Sequence, residues 1–154
     1  IDMFCGWGGS LRRALAHGNV LLTGDEKTEL GILVFDVTSG PSGWVEENSD
    51  TVAKFLKVTA DANAMWADEA NHAKMLPVIA KDAGMDVEAT AETIATFTFP
   101  TVDEQLSGAW LGGAAQTFMK GVADVFVEAG SIDAALDSYD AAVNTGPLAA
   151  AKGM

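Results

Sequence analysis

The sequence predicts part of an α/β domain: a β-α-β-β opening followed by five or six helices. Three observations predict it. Met3-Phe-Cys-Gly-Trp-Gly-Gly-Ser10 reads as a strand end, a glycine turn and a helix start. Gly31-Ile-Leu-Val-Phe-Asp-Val-Thr38 is the most strand-like run in the chain. From Pro41 onward the apolar residues recur at i+3 and i+4 instead. A few strands with a helical remainder fit a piece of an α/β domain better than a whole one. The opening supports this, since Ile1 stands in mid-element with no initiator Met, basic segment or apolar signal core before it.

The elements follow in order. After the strand end at Met3–Gly6, Gly8 and Gly9 form a turn and Ser10 caps a short helix over Leu11–His17, ended by Gly18. Asn19–Thr23 is a second strand, 24–30 a polar loop, and Gly31–Thr38 a third strand. Pro41 opens a short helix through Glu47. Ser49 caps a long helix carrying Val52, Phe55, Leu56, Thr59, Ala62 and Trp66 on one stripe. Pro77 predicts a break or a new start in the next helix, and Gly84 its end. Asp86 caps Val87–Phe97, and Thr101-Val-Asp-Glu104 is a capping box. Gly112-Gly113 precede a helix ending at Gly130, with Phe118, Val122, Val125 and Phe126 facing inward. Ser131 caps Ile132–Val143, and the Gly-, Pro- and Ala-rich tail from Thr145 is expected to be loose.

Composition narrows the function. At 49% hydrophobic and 20% charged, the chain has enough apolar residues for a core. No apolar run approaches the ~18 residues of a membrane span. The net charge of −13 repels phosphate backbones and anionic lipid, so nucleic acid is not an expected partner. Cys5 is the single cysteine, which excludes an intrachain disulfide and a zinc-finger spacing.

Two places carry chemistry. The Cys5–Ser10 turn follows a strand and opens a helix, where open α/β sheets bind ligands. Backbone N–H groups at such a helix start hold anions. Trp7 there either walls a cleft or fills the core. Asp36 interrupts the most apolar strand, where a carboxylate needs a cation or several donors. Its partner is either a structural cation, Arg12 or Arg13, or a cation on a ligand. His17 suits a helix C-terminus. Asp68, Glu69 and His72 share helical spacing, but one His on an acidic face is more often solvated than metal-bound, and no metal or cofactor is expected. Cys5 has no base beside it, so no catalytic residue is assigned and the chain is not expected to be an enzyme.

The ordered segments resemble periplasmic taurine-binding proteins of ABC importers, a group with alkanesulfonate, nitrate and thiamine-precursor binders. The matching pieces are Ile1-Asp-x-x-x-x-Trp7, Asn19-Val-Leu-Leu-Thr-Gly24, Val34-Phe-Asp-Val37, Glu46-Glu-Asn-Ser-Asp-Thr-Val-Ala-Lys-Phe-Leu-Lys57, Phe99-Pro-Thr-Val-Asp-Glu-Gln-Leu-Ser107, Gly121-Val-Ala-Asp-Val-Phe126 and Ser131-Ile-Asp-Ala-Ala-Leu136. The resemblance covers nearly the whole chain but about the C-terminal half of such a protein. It implies the helix-rich C-terminal part of a two-lobed type II periplasmic-binding-protein fold. Residues 1–31 would end the second lobe, 32–38 would be a crossing strand at the hinge, and 39–154 the helical end of the first lobe. It further implies a solute-binding component in the periplasm that captures taurine or a related sulfonate for a membrane permease.

On that resemblance Trp7 is a cleft wall, Asp36 the partner of the taurine ammonium, and Gly8, Gly9 and Ser10 part of the sulfonate site. The chemistry is consistent: a carboxylate and an aromatic face suit an ammonium, and helix-start N–H groups suit a sulfonate. Gly8-Gly9 stands where relatives can carry a proline. The alternatives are an enzyme of the same fold, such as a thiamine-pyrimidine synthase, and a stand-alone helical interaction module. The lone cysteine argues against the first, which would use a cysteine-rich iron site; the second would self-associate through apolar edges left without strand partners.

Overall fold

A computed structural model describes residues 2–154; Ile1, which opens the first segment of the resemblance, lies outside them. The described residues form helices and no strand. The α/β reading, and with it the sheet of a two-lobed periplasmic-binding-protein fold, is therefore corrected. Met3–Gly6 and residues 32–40 are irregular, and Asn19–Thr23 is coil and bend. The physical reason is pairing. A strand's backbone groups need neighbours, and these three short segments form no ladder with one another. Most of their apolar side chains stay exposed, among them Met3, Phe4, Leu21, Leu22 and Val34.

The chain packs as two units. The first joins residues 1–23 to 62–99. In it α1 (Gly8–Leu15) packs against α6 (Val87–Ile94), and α6 against α5 (His72–Ala83). Its buried residues are small: Ala80, Ala89 and Thr90. Asp86 caps α6, its carboxylate accepting from the Ala89 N–H at 2.7 Å. Gly84 ends α5 in the left-handed region at φ +65°, where a side chain would be strained. α5 runs through Pro77 instead of breaking there. The ring costs one hydrogen bond, to the carbonyl of Ala73, and Ala73 is exposed to water.

The second unit joins residues 24–61 to 100–154. The expected loop at 24–30 is α2 (Gly24–Glu29), with Asp25 and Glu26 in its first turn suiting the helix dipole. α3 (Ser42–Glu47) follows Pro41 as expected, and Ser49 opens α4 (Ser49–Ala67), whose residues 62–67 belong to the first unit. The Thr101–Glu104 capping box is present at the head of α7 (Val102–Leu106). α8 (Ala114–Glu128) buries Ala115 and Ala123, while Val125 and Phe126, expected inside, are exposed.

Two further expectations fail at the C-terminus. Residues 131–139 do not form the helix assigned to Ile132–Val143; only a 3-10 turn at Asp140–Ala142 appears. The tail is not loose: α9 (Gly146–Lys152) buries Pro147, Leu148 and Ala151. It packs on α7, and Lys152 pairs with Asp103 across that contact. Alanines dominate the core of both units, and among the described residues no large side chain is fully buried. Small side chains let helices approach closely, but they withdraw little apolar area from water.

Candidate functional site

The first candidate is the start of α1. Trp7 sits at the N-cap with extended backbone, φ −143° and ψ 171°, and no side chain caps the helix. The helix starts two residues ahead of the expected Ser10 cap, because Gly8 takes φ +55°, a conformation open to glycine at little cost. A Cβ on Gly8 would also meet the Thr93 methyl at 3.4 Å, so the turn is pressed onto α6. The Leu11 N–H gives the first bond back, to the Trp7 carbonyl at 3.3 Å. The N–H groups of Gly8, Gly9 and Ser10 precede that bond and have no backbone acceptor among the described residues.

Two side chains complete this end. Trp7 is 66% exposed, which removes the core alternative and leaves its ring free to meet a ligand. Arg13 lies beside Gly9: a Cβ built there would stand 3.7 Å from the Arg13 Nη1. Sequence reasoning placed Arg13 only as a structural partner of Asp36. The Gly9–Arg13 spacing of four would have disclosed the contact, had the helix been started at Gly8. An aromatic face, a guanidinium and three N–H groups at the positive end of a helix suit a small anion with an organic body.

Behind the helix start a groove of about 330 Å³ runs between α1 and α6. Leu11 and Leu15 form its apolar side, and the Arg12–Glu92 ion pair, at 2.6 Å, borders it. Arg12, one of the two structural cations offered for Asp36, pairs with Glu92. Thr93 also lines the groove, and its Oγ1 is buried without a hydrogen-bond partner among the described residues.

Asp36 stands in the second unit, on the irregular segment after α2. It is exposed, so the expected cost of a buried carboxylate does not arise. Its neighbour Phe35 is held: the ring meets Trp110 edge-on at 6.4 Å and Phe118 at 6.3 Å. Trp7, Gly8, Gly9 and Ser10 are therefore brought together at one helix start, while Asp36 belongs to the other unit.

The remaining candidates have structural roles. Asp68 caps the 3-10 turn at Glu69–Asn71 by accepting from the Ala70 N–H. His72 stacks on Trp66, ring centroids 3.8 Å apart, and its Nε2 lies 2.7 Å from the Trp66 carbonyl. Among the described residues no three His, Cys, Asp or Glu side chains are grouped to hold a metal ion. No helix of the described residues is long and apolar enough to cross a membrane.

No family model, curated protein or solved structure matches this chain.

Proposed function

We propose that the chain is a ligand-holding part of an extracytoplasmic solute-binding component of an ABC importer. It captures taurine or a related sulfonate in the periplasm and passes it to a membrane permease without covalent chemistry. The observation that carries this is the α1 start. Exposed Trp7 stands at three N–H groups without backbone acceptors, with Arg13 beside Gly9. A sulfonate accepts hydrogen bonds from those N–H groups and from the guanidinium. The ammonium of taurine takes the Trp7 ring face. The order of the family-like segments along the chain supports the same ligand. The family's sheet is absent from the described residues, so its fold adds nothing to that support.

Calorimetric titration with taurine, and with ethanesulfonate as the amine-free control, tests it. Heat with taurine and less with ethanesulfonate is expected, with binding lost in Trp7→Ala and weakened in Arg13→Ala. Equal heats for the two ligands, or an unchanged Trp7→Ala, would reject the assignment. A second reading, a helical interaction module, is favoured by one observation: many large apolar side chains on all-helical units are exposed.

A further inference from the structure

We infer that α1 docks on α6 for only part of the time in the free protein, and that an anion bound at its start draws it into the docked state. The second half of this statement rests on the sulfonate reading; the first half does not.

Helix α1 has little of its own to hold it. It runs for 8 residues, Gly8–Leu15. An isolated helix shorter than about 12–15 residues is marginal in water. Two of the residues are glycines, the poorest helix formers after proline. No side chain caps its start, and no acid stands in its first turn to meet the dipole. Away from α6 the segment is therefore too short to stay helical.

The docking itself is thin. Of the residues in α1, Gly8 alone is buried. Leu15 is 50% exposed, and the groove lies where Leu11 and Leu15 would otherwise close on α6. The Arg12–Glu92 pair stands in the open, where an ion pair contributes little. Where Gly8 meets Thr93, the Thr93 Oγ1 is buried without a partner among the described residues. The docked state thus carries an unmet hydroxyl, which water satisfies once α1 lifts. The neighbouring corner of the same unit differs. Asp86 caps α6, Gly84 ends α5, and buried Thr90 gives its hydroxyl to the Asp86 carbonyl at 2.8 Å. Within this unit α1 belongs to the low-stability end and the α5–α6 corner to the high end.

An anion changes that balance. It supplies the acceptor that the Gly8, Gly9 and Ser10 N–H groups lack, and a charge that the helix dipole favours. Those groups point together only when α1 is helical, so the anion binds the docked state better and shifts the equilibrium by that difference. The measured affinity is the docked-state affinity reduced by the docked fraction. Thr93 therefore tunes affinity through α1, as a positioning residue.

Amide hydrogen exchange on the whole chain, read by nuclear magnetic resonance, tests this. Without ligand, the Arg12 to Leu15 amides should exchange at least about tenfold faster than the hydrogen-bonded amides of α5 and α6. Thr93→Val keeps the side-chain shape and removes the hydroxyl. It should slow exchange in α1 by about tenfold, leave α8 unchanged, and tighten taurine by no more than the same factor. Gly8→Ala strains a position at φ +55° and brings a Cβ to 3.4 Å from the Thr93 methyl, so it should speed exchange in α1. Taurine should slow exchange in α1 in step with the saturation seen by calorimetry. Protection in α1 equal to that in α6, or no change in α1 exchange in either variant, would overturn the partial docking. Heat from taurine with α1 exchange unmoved would overturn the coupling and leave the sulfonate reading standing. No heat from taurine, with the ligand-free exchange as described, would reject the sulfonate reading and the coupling together and leave the partial docking standing.

Discussion

Two stretches of the second unit invert what their sequences suggest. Leu30–Val37 is the most apolar run in the chain, yet Leu30, Val34 and Val37 stand 66%, 66% and 56% exposed. The tail Gly146–Lys152 is small and Gly-, Pro- and Ala-rich, yet Leu148 is 5% exposed and Ala151 fully buried. The difference teaches that burial is set by available partners, not by the apolarity of a run. A helix satisfies its own backbone, so a short one can dock on α7 and bury Leu148 and Ala151. A strand needs a neighbour for every second backbone group, and residues 33–38 have none among the described residues.

The strongest break of this comparison is Leu148→Ala against Val34→Ala. The first should lower unfolding free energy by about 2–3 kcal/mol, because it opens a cavity where α9 docks. The second should change it by less than about 0.5 kcal/mol. Urea unfolding of both variants measures the contrast, and equal losses would mean that the extended run is buried after all.

Capping comes next. Asp86→Ala should cost about 1 kcal/mol in the first unit, since the Ala89 N–H loses its acceptor. Thr101→Ala should cost a similar amount, about 1 kcal/mol, in the second. The capping box adds a pH signature. The Thr101 N–H, and then the Thr101 hydroxyl, hold the Glu104 carboxyl below its ordinary pKa. A carboxylate with a depressed folded pKa stabilises the fold above its unfolded pKa, and that contribution disappears as pH falls through the folded value. Acid unfolding curves of the parent and Glu104→Gln should therefore differ at neutral pH and converge at low pH.

The smallest effect is expected at the rim of the same contact. Lys152 and Asp103 pair in the open, so Lys152→Ala should cost no more than about 0.5 kcal/mol. The cost should shrink as salt is raised, which a salt series of urea titrations reads directly.

What was legible in the sequence were features that close within a few residues. The capping box at Thr101–Glu104, the Asp86 cap and the Gly84 stop rest on side-chain and glycine chemistry that needs no distant partner. What was not legible depended on the rest of the chain. The strand at Gly31–Thr38 was read from β-branched and apolar composition, which reports fitness for a sheet and not the presence of one. The helix assigned to Ile132–Val143 had a cap, but Ile132 and Leu136 stay exposed, so no buried apolar stripe holds a helix there. At the candidate site, Trp7 and the Gly8–Ser10 turn were legible as a helix start. Its register was not, because Ser10 outweighed Gly8 as a capping residue, and with the register went the Gly9–Arg13 contact.

The most direct test of the sulfonate site is nuclear magnetic resonance of the backbone amides during a taurine titration. The proposal predicts saturable shifts at the Gly8, Gly9 and Ser10 amides and at the Trp7 indole. Ethanesulfonate should move the three amides alone, and weakly. Saturable shifts elsewhere in the chain with these amides unmoved, or none with taurine at all, would contradict the α1 start as the place where a sulfonate binds.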